Sequence, residues 1–92
     1  MTDAELHCRV CGLLQEEPPW GWDGNTPDFE ICDCCGTEFG YEDATSVGVA
    51  RKRRAWLADP GVWFRPEAKP AGWEPAEQLS HVPAAFRDLP EA

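Results

Sequence analysis

The residues best suited to chemistry are five cysteines, and the spacing of four of them is typical of a metal site. Cys8 with Cys11, and Cys32 with Cys35, form two Cys-x-x-Cys pairs separated by twenty residues. Two intervening residues let the chain turn tightly enough for both thiolates to face one ion, and four soft thiolates suit tetrahedral Zn²⁺. Because four sulfurs leave no open position for water, we expect one structural Zn²⁺ ion rather than a catalytic one.

A glycine after each pair fixes which cysteines are ligands. Gly12 and Gly36 permit the positive φ angle that the chain needs where it leaves each turn. This register selects Cys32 and Cys35 and leaves Cys34 inside the second turn as a spare thiol. Neighbouring thiolates and acidic side chains are expected to raise the pKa of Cys34, which would make it an inert spacer.

The same residues allow other interpretations. Tetrahedral sulfur also accepts iron, as in a rubredoxin-like electron-transfer site. Two redox-active pairs are a further alternative, but no βαβ pattern surrounds either of them. His7 could replace a ligand, although four cysteines already fill the site. The odd cysteine count, and an acidic N-terminus with no apolar signal segment, disfavour disulfides and lead us to expect a cytoplasmic protein.

The segments around the cysteines must position them, and their patterns predict a small α+β fold with the β-hairpins of a zinc ribbon. Residues 8–12 form the first knuckle and residues 32–36 the second. Apolar and polar residues alternate at 29–31 and again at 37–41, which predicts strands on both sides of the second knuckle, with Phe39 and Tyr41 on one face.

One main helix and a short C-terminal helix complete the predicted fold. An apolar period of 3.6 residues predicts the main helix at about 45–58, capped by Asp43 or Thr45. Arg53 lies on its apolar stripe and therefore needs a carboxylate, a carbonyl or an aromatic face as its partner. Pro75 suits the first turn of the short helix, which is predicted to end near residue 82.

The length of 92 residues supports one domain, 1–92, with residues 60–92 as a C-terminal extension of the ribbon. A chain this short has a marginal core and needs a metal or disulfides to stabilise it. No apolar run approaches the roughly 20 residues of a membrane span, so no membrane partner is expected.

Charge is distributed unevenly and indicates the kind of partner. The net charge is −9, and residues 1–46 hold 11 acidic residues against one basic residue. This acidic half repels phosphate backbones, which argues against nucleic acid as the main partner even though residues 51–54 are all basic. A basic protein fits better, since opposite charges steer association. Trp20 and Trp22 are candidate contacts for such a partner, or alternatively pack as a lid over the small core.

The sequence does not indicate an enzyme. It contains no phosphate-binding loop, no HExxH motif and no Ser/His/Asp arrangement, and its only histidines are His7 and His81. No small-molecule substrate is evident. We therefore predict a non-enzymatic, protein-binding module with structural Zn²⁺. A nucleic-acid-associated zinc ribbon and a rubredoxin-like electron-transfer protein are the alternatives.

Several short motifs follow the first knuckle in a characteristic order. They are Phe29 to Gly36, Glu38 to Tyr41, Arg53, Trp56, Gly61, Trp63, Phe64, Pro70, Trp73, Gln78 and Leu79. This order resembles a group of small bacterial cysteine-rich proteins, the CPCC-type zinc-ribbon proteins. The resemblance covers about residues 7–80, although the CPCC string itself is absent. It implies a bound Zn²⁺ ion and no catalytic residues, and some relatives resemble immunity proteins of bacterial toxin systems.

Overall fold

Two α-helices, two single-turn 3₁₀ helices (Pro66–Ala68 and Ala84–Phe86) and two isolated β-bridges make up the regular structure of the part of the chain that the computed structural model describes, residues 5–59 and 61–87. The Cα radius of gyration is 12.3 Å, which is about the value expected for a compact domain of this length. The ends of the predicted domain 1–92, and residue 60 within it, lie outside the described residues. The assignment of a single domain therefore stays a prediction.

Helix α1 spans Ser46–Leu57, so the helix predicted at about 45–58 is confirmed. Thr45, not Asp43, is the N-cap, and its side-chain oxygen accepts a hydrogen bond from the Gly48 N–H at 3.0 Å. Val49 and Trp56 are buried at positions i and i+7, so one face of α1 packs on the interior.

The predicted β-hairpins are largely absent from the described residues. Each knuckle is flanked by a single antiparallel bridge, His7 with Leu14 and Ile31 with Glu38. The segments 29–31 and 37–41 therefore approach each other as predicted, but they do not form strands of ordinary length. The described chain is better called a small fold of two helices with almost no strand.

Two residues with positive φ explain why the second bridge does not extend into strands. Phe29 has a φ of 59° and Gly40 a φ of 92°, and neither angle is compatible with a β-strand. The Asp28 carboxylate accepts a hydrogen bond from the Glu30 N–H at 2.9 Å, which closes a local turn around Phe29.

The turn at Gly40 also separates two aromatic side chains that the alternating pattern placed together. Phe39 is 1% exposed and Tyr41 is 76% exposed. The prediction that they share a face is wrong, because the chain turns between them instead of continuing as a strand.

The C-terminal segment covers the knuckles. Helix α2 spans Pro75–Leu79 and is shorter than predicted, since the Ser80 N–H already closes its last turn onto the carbonyls of Ala76 and Glu77. Gln78, at the end of α2, is only 6% exposed. A buried glutamine needs hydrogen-bond partners, and it finds them at the knuckles.

The core is small and rich in cysteine. Four of its ten buried apolar residues are cysteines, so much of the interior consists of thiols rather than large hydrophobic side chains. Such a core buries less apolar area than one of large aliphatic and aromatic side chains, so it gains less from apolar burial. Its members are Cys8, Val10, Cys11, Cys32, Cys34, Phe39, Val49, Trp56, Trp63 and Val82.

Candidate metal centre

The two knuckles have the same local backbone structure. The N–H of Gly12 donates to the Cys8 carbonyl and that of Gly36 to the Cys32 carbonyl, both at 3.0 Å. The two glycines have φ angles of 86° and 75°, as the sequence predicted. The N–H of each first cysteine also donates to the carbonyl of the residue after the glycine, Leu13 or Thr37, at 2.9 Å in both cases. Each tight turn directs its two sulfurs to the same side.

The four sulfurs come together in the interior, with all Sγ atoms of Cys8, Cys11, Cys32 and Cys35 within 4.8 Å of one another. The Sγ–Sγ distance is 3.7 Å between Cys8 and Cys35 and 3.6 Å between Cys11 and Cys32. A tetrahedron with Zn–S bonds of about 2.3 Å has edges of about 3.8 Å. These distances fit ligands of one ion and are much longer than a disulfide bond of about 2.05 Å.

The cluster is closed to solvent on most sides. Cys8, Cys11 and Cys32 are fully buried and Cys35 is half-buried. Four sulfurs at tetrahedral spacing leave no position for a substrate or a water molecule. The arrangement therefore suits a structural ion, and these four residues could bind a metal.

Burial disfavours ionisation of the most buried thiols in this cluster. Burial raises the pKa of the Cys8 and Cys11 thiols well above the usual value. The pKa of Cys32 is lowered, because the Cys11 thiol and then those of Cys35 and Cys8 donate hydrogen bonds to its sulfur. Burial therefore favours the protonated forms of the Cys8 and Cys11 thiols over their thiolates. A divalent cation would offset this preference by stabilising all four charges at once.

Polar groups around the cluster are placed to stabilise thiolates. The Val10 N–H donates to Cys8 Sγ at 3.4 Å, and the Gln15 side-chain amide donates to Cys32 Sγ at 3.6 Å. Thr37 Oγ1 lies 2.9 Å from Cys35 Sγ and can donate to a thiolate there. Donors of this kind orient metal ligands and tune their charge. Gln15 and Thr37 were not predicted from the sequence, since nothing in their spacing marks them.

Cys34 lies outside the group of four, as predicted. It is 1% exposed, and its sulfur accepts a hydrogen bond from the Gln78 side-chain amide at 3.4 Å. Hydrogen bonding with Cys11, and then the donation from Gln78, lowers the pKa of Cys34. The expectation of a raised pKa is wrong, because it counted neighbouring negative charges and not these donors.

Gln78 joins both knuckles to the aromatic side chains of the core. Its amide nitrogen also donates to the Cys11 carbonyl at 3.2 Å, and its amide oxygen accepts from Trp73 Nε1 at 2.8 Å. Trp73 in turn contacts Trp56 and Trp63 edge-on, at ring-centroid distances of 6.2 and 5.3 Å. The match of Trp73 and Gln78 to the motif order was the only sequence signal for this network.

The two knuckles are fastened to the rest of the chain in different ways. Arg53 donates to the carbonyls of Arg9 and Val10 in the first knuckle at 2.7 and 2.8 Å, and to the Phe86 carbonyl at 2.7 Å. The predicted carbonyl partner of Arg53 is therefore confirmed. Burial lowers the pKa of Arg53, an effect opposed by the nearby cysteine charges.

In the second knuckle, backbone N–H groups take the place of a guanidinium. The Phe64 N–H donates to the Cys34 carbonyl at 3.1 Å, and the Arg65 N–H donates to the Asp33 carbonyl at 2.8 Å. These two carbonyls are the equivalents of those that Arg53 binds in the first knuckle. Both knuckles thus have their outward carbonyls satisfied, as buried backbone groups require.

Trp20 and Trp22 occupy different environments. Trp20 is half-buried, its Nε1 donates to the buried Asp43 carboxylate at 2.9 Å, and the Arg9 guanidinium lies 4.0 Å from its ring centroid. Trp22 is 74% exposed. Trp20 thus has a packing role, while partner binding by either tryptophan stays a prediction.

The histidines lie outside the sulfur cluster. His7 Nδ1 contacts the Glu5 carboxylate at 2.8 Å, and the His7 ring stacks on that of His81 with a centroid distance of 5.3 Å. The group that could bind a metal contains no histidine among the described residues. Replacement of a cysteine ligand by His7 therefore finds no support in the geometry.

Comparisons with known proteins give no match: no protein-family model matches the sequence, no curated protein matches it, and no solved structure matches the fold. None of the helices in residues 5–59 and 61–87 is long and apolar enough to span a membrane.

Proposed function

We propose that this chain is a non-enzymatic protein-binding module stabilised by one structural Zn²⁺ ion bound by Cys8, Cys11, Cys32 and Cys35. The observation that carries the proposal is the spacing of the buried sulfurs, 3.6 and 3.7 Å for the two pairs that join the knuckles. In a core built so largely of thiols, the ion supplies the stabilisation that apolar burial does not.

Zinc is proposed over iron because the site is closed and the proposed role is structural. Metal analysis of protein purified without added metal tests this choice. One equivalent of zinc in a colourless protein is the expected result, with a cooperative thermal transition that a strong chelator abolishes. A coloured protein with stoichiometric iron would instead support electron transfer. A metal-free protein that still melts cooperatively would overturn the proposal.

The partner is proposed to be a basic protein, and the support is electrostatic. Residues 1–46 carry 11 acidic residues and one basic residue, so association with a basic surface gains in rate and specificity. The immunity-type role that the family resemblance implies, with a basic toxin as partner, belongs to the same proposal. Binding to a basic protein that weakens steeply with salt is the expected behaviour. Failure to bind basic proteins at low salt would argue against this part.

A nucleic-acid function receives less support. It rested on four consecutive basic residues at 51–54, but Arg53 points inward to the first knuckle and Lys52 Nζ lies 3.3 Å from the Glu42 carboxylate. The run therefore does not present four free charges on one surface.

A further inference from the structure

A groove lies outside the sulfur cluster, between the chain that leaves the first knuckle and the chain that enters the second. Its volume is about 610 Å³, within the usual range for sites that bind ligands or peptide side chains. Residues 13–17 line one wall and residues 28–33 contribute to the other, with Trp63 and Ala68 completing the lining.

The lining of this groove is strongly acidic. No basic side chain of the described residues lines it. Only Asp33 is paired with a base in that part of the chain, through an exposed contact of 3.4 Å to Arg65 Nε. Carboxylates that line a concave surface concentrate the field and attract cations. The five carboxylates are those of Glu16, Glu17, Asp28, Glu30 and Asp33.

The groove also offers two exposed apolar side chains. Leu14 is 62% exposed and Ile31 is 42% exposed, and both line the groove. Each occupies one side of a β-bridge, to His7 and to Glu38 respectively. Acidic groups next to exposed aliphatic groups match a segment that carries both basic and apolar side chains.

The backbone of Leu14 and Ile31 is free to bind an added strand. In the first bridge, the hydrogen bonds from the Cys8 N–H to the Leu13 carbonyl and from the Gln15 N–H to the Leu6 carbonyl flank Leu14 on both sides. Leu14 therefore belongs to a non-hydrogen-bonded pair, and its N–H and C=O point away from His7.

The second bridge repeats this pattern around Ile31. The Cys32 N–H donates to the Thr37 carbonyl, and the Phe39 N–H donates to the Glu30 carbonyl. Within residues 5–59 and 61–87, the backbone N–H and C=O groups of Ile31 and Leu14 make no hydrogen bond. Unpaired edges of this kind accept extended peptides by strand addition.

We propose that this groove is the docking site for an extended, basic segment of the partner protein, in which basic and aliphatic residues alternate. Its backbone pairs with the edge at Leu14 or Ile31, its aliphatic side chains contact these two residues, and its basic side chains reach the carboxylates. This inference rests on the proposed function, because it assigns the site at which that basic partner binds.

A synthetic peptide of alternating Arg and Val, about eight residues long like an ordinary strand, is the probe. Its control has the same composition with all Arg residues before all Val residues. Binding to the zinc-loaded protein is followed by fluorescence polarisation and by amide NMR shifts. The groove variant Glu16→Gln plus Glu30→Gln is compared with Asp59→Asn plus Glu74→Gln, which removes two exposed carboxylates elsewhere.

The expected result is binding of the alternating peptide with amide shifts centred on Leu14 and Ile31. The groove variant should weaken it roughly fivefold to tenfold, while the control variant changes affinity less than twofold. Leu14→Asn should also weaken binding more than Val62→Asn does. Metal content and thermal stability, measured for every variant, show that the fold is retained.

Three results would overturn the docking site: equal weakening by both double variants, equal binding of both peptides, or amide shifts that avoid the groove. Each of these leaves the proposed function standing, since the acidic surface as a whole would still bind a basic partner. Absence of binding by either peptide at low salt would overturn both the docking site and the basic-partner proposal.

Discussion

The two knuckles share their backbone and differ in how the rest of the chain holds them. Residues at an offset of 24 are equivalent, from Cys8 and Cys32 to Gly12 and Gly36, and their turn hydrogen bonds agree within 0.1 Å. In the first knuckle the carbonyls of Arg9 and Val10 accept hydrogen bonds from one side chain, Arg53, whereas the equivalent carbonyls of the second knuckle accept them from backbone N–H groups. The turn itself is encoded locally, but its attachment depends on distant segments.

This difference has a consequence for mutation. One substitution at Arg53 removes the side-chain hydrogen bonds to the first knuckle. The backbone hydrogen bonds to the second knuckle survive any substitution that preserves the path of the chain. The first knuckle should therefore be the more sensitive of the two to changes outside the ligands. Changes in the four clustered cysteines should affect both knuckles equally, because the proposed ion needs all four sulfurs.

The largest effect is expected for ligand substitutions. Cys11→Ser and Cys32→Ser should each abolish stoichiometric zinc binding and the cooperative melt, because structural zinc contributes about 10–16 kcal/mol in zinc-finger peptides. Metal analysis and thermal denaturation measure both effects. Cys34→Ser is the matched control and should keep its zinc. A ligand variant that retains one equivalent of zinc and melts normally would contradict the four-cysteine site.

The glycines should give the next largest effect and should separate the knuckles. A Cβ at Gly12 would clash with the backbone carbonyl of Gln78, whereas one at Gly36 would meet the movable Phe64 ring at 3.3 Å. Both alanines incur left-handed strain of about 1–2 kcal/mol. Gly12→Ala should cost about 1–3 kcal/mol more, through overpacking. Chemical denaturation of the two zinc-loaded variants measures this difference in the free energy of unfolding. Equal losses of stability in both variants would refute the prediction.

A smaller loss of stability is expected when the side-chain contacts to the first knuckle are compared with the backbone contacts to the second. Arg53→Met leaves knuckle carbonyls without their donor and should lower the free energy of unfolding by about 1–3 kcal/mol. Arg65→Met removes only an exposed ion pair, worth about 0–1 kcal/mol, and keeps the backbone N–H. Urea denaturation of both variants tests the contrast. If Arg65→Met lowers the free energy of unfolding more than Arg53→Met does, the backbone hydrogen bonds are not what holds the second knuckle.

The smallest effect is expected at the one interior position where the knuckles differ in residue type. Val10 and Cys34 are equivalent, and both are buried. Cys34→Val should change stability by less than about 1.5 kcal/mol, since the swap is nearly volume-conserving and loses only a weak sulfur acceptor. Thermal denaturation with metal analysis provides the readout. Loss of zinc in this variant would mean that Cys34 is itself a ligand.

The features that the sequence could predict are those that depend on neighbouring residues. The Cys-x-x-Cys-Gly spacing specifies a turn and the side to which its sulfurs point, and Thr45 before an apolar period specifies where α1 begins. The predicted strands at 29–31 and 37–41 do not form, because alternation over only three to five residues is a weak indicator of a strand. A single left-handed residue, Phe29, outweighs it.

The long-range contacts could not be predicted from spacing. The donation from Gln78 to Cys11 spans 67 residues, and the contact of Trp20 with Asp43 spans 23. Both depend on how distant segments pack, and a buried glutamine has no periodic signature. The local sequence also suited Asp43 as a helix cap, but its carboxylate accepts hydrogen bonds from the Gly40 N–H and from the distant Trp20 side chain instead.

The position of Gln78 has a consequence for the order in which the protein matures. Synthesis from the N-terminus delivers all four ligand cysteines before the residue whose amide joins Cys11 to Cys34. A nascent chain that ends before α2 already carries every sulfur of the proposed metal site, but not the Gln78 amide that donates to the Cys11 carbonyl and to the Cys34 sulfur. Under the proposed function, metal binding can thus precede the closure of the interior by α2.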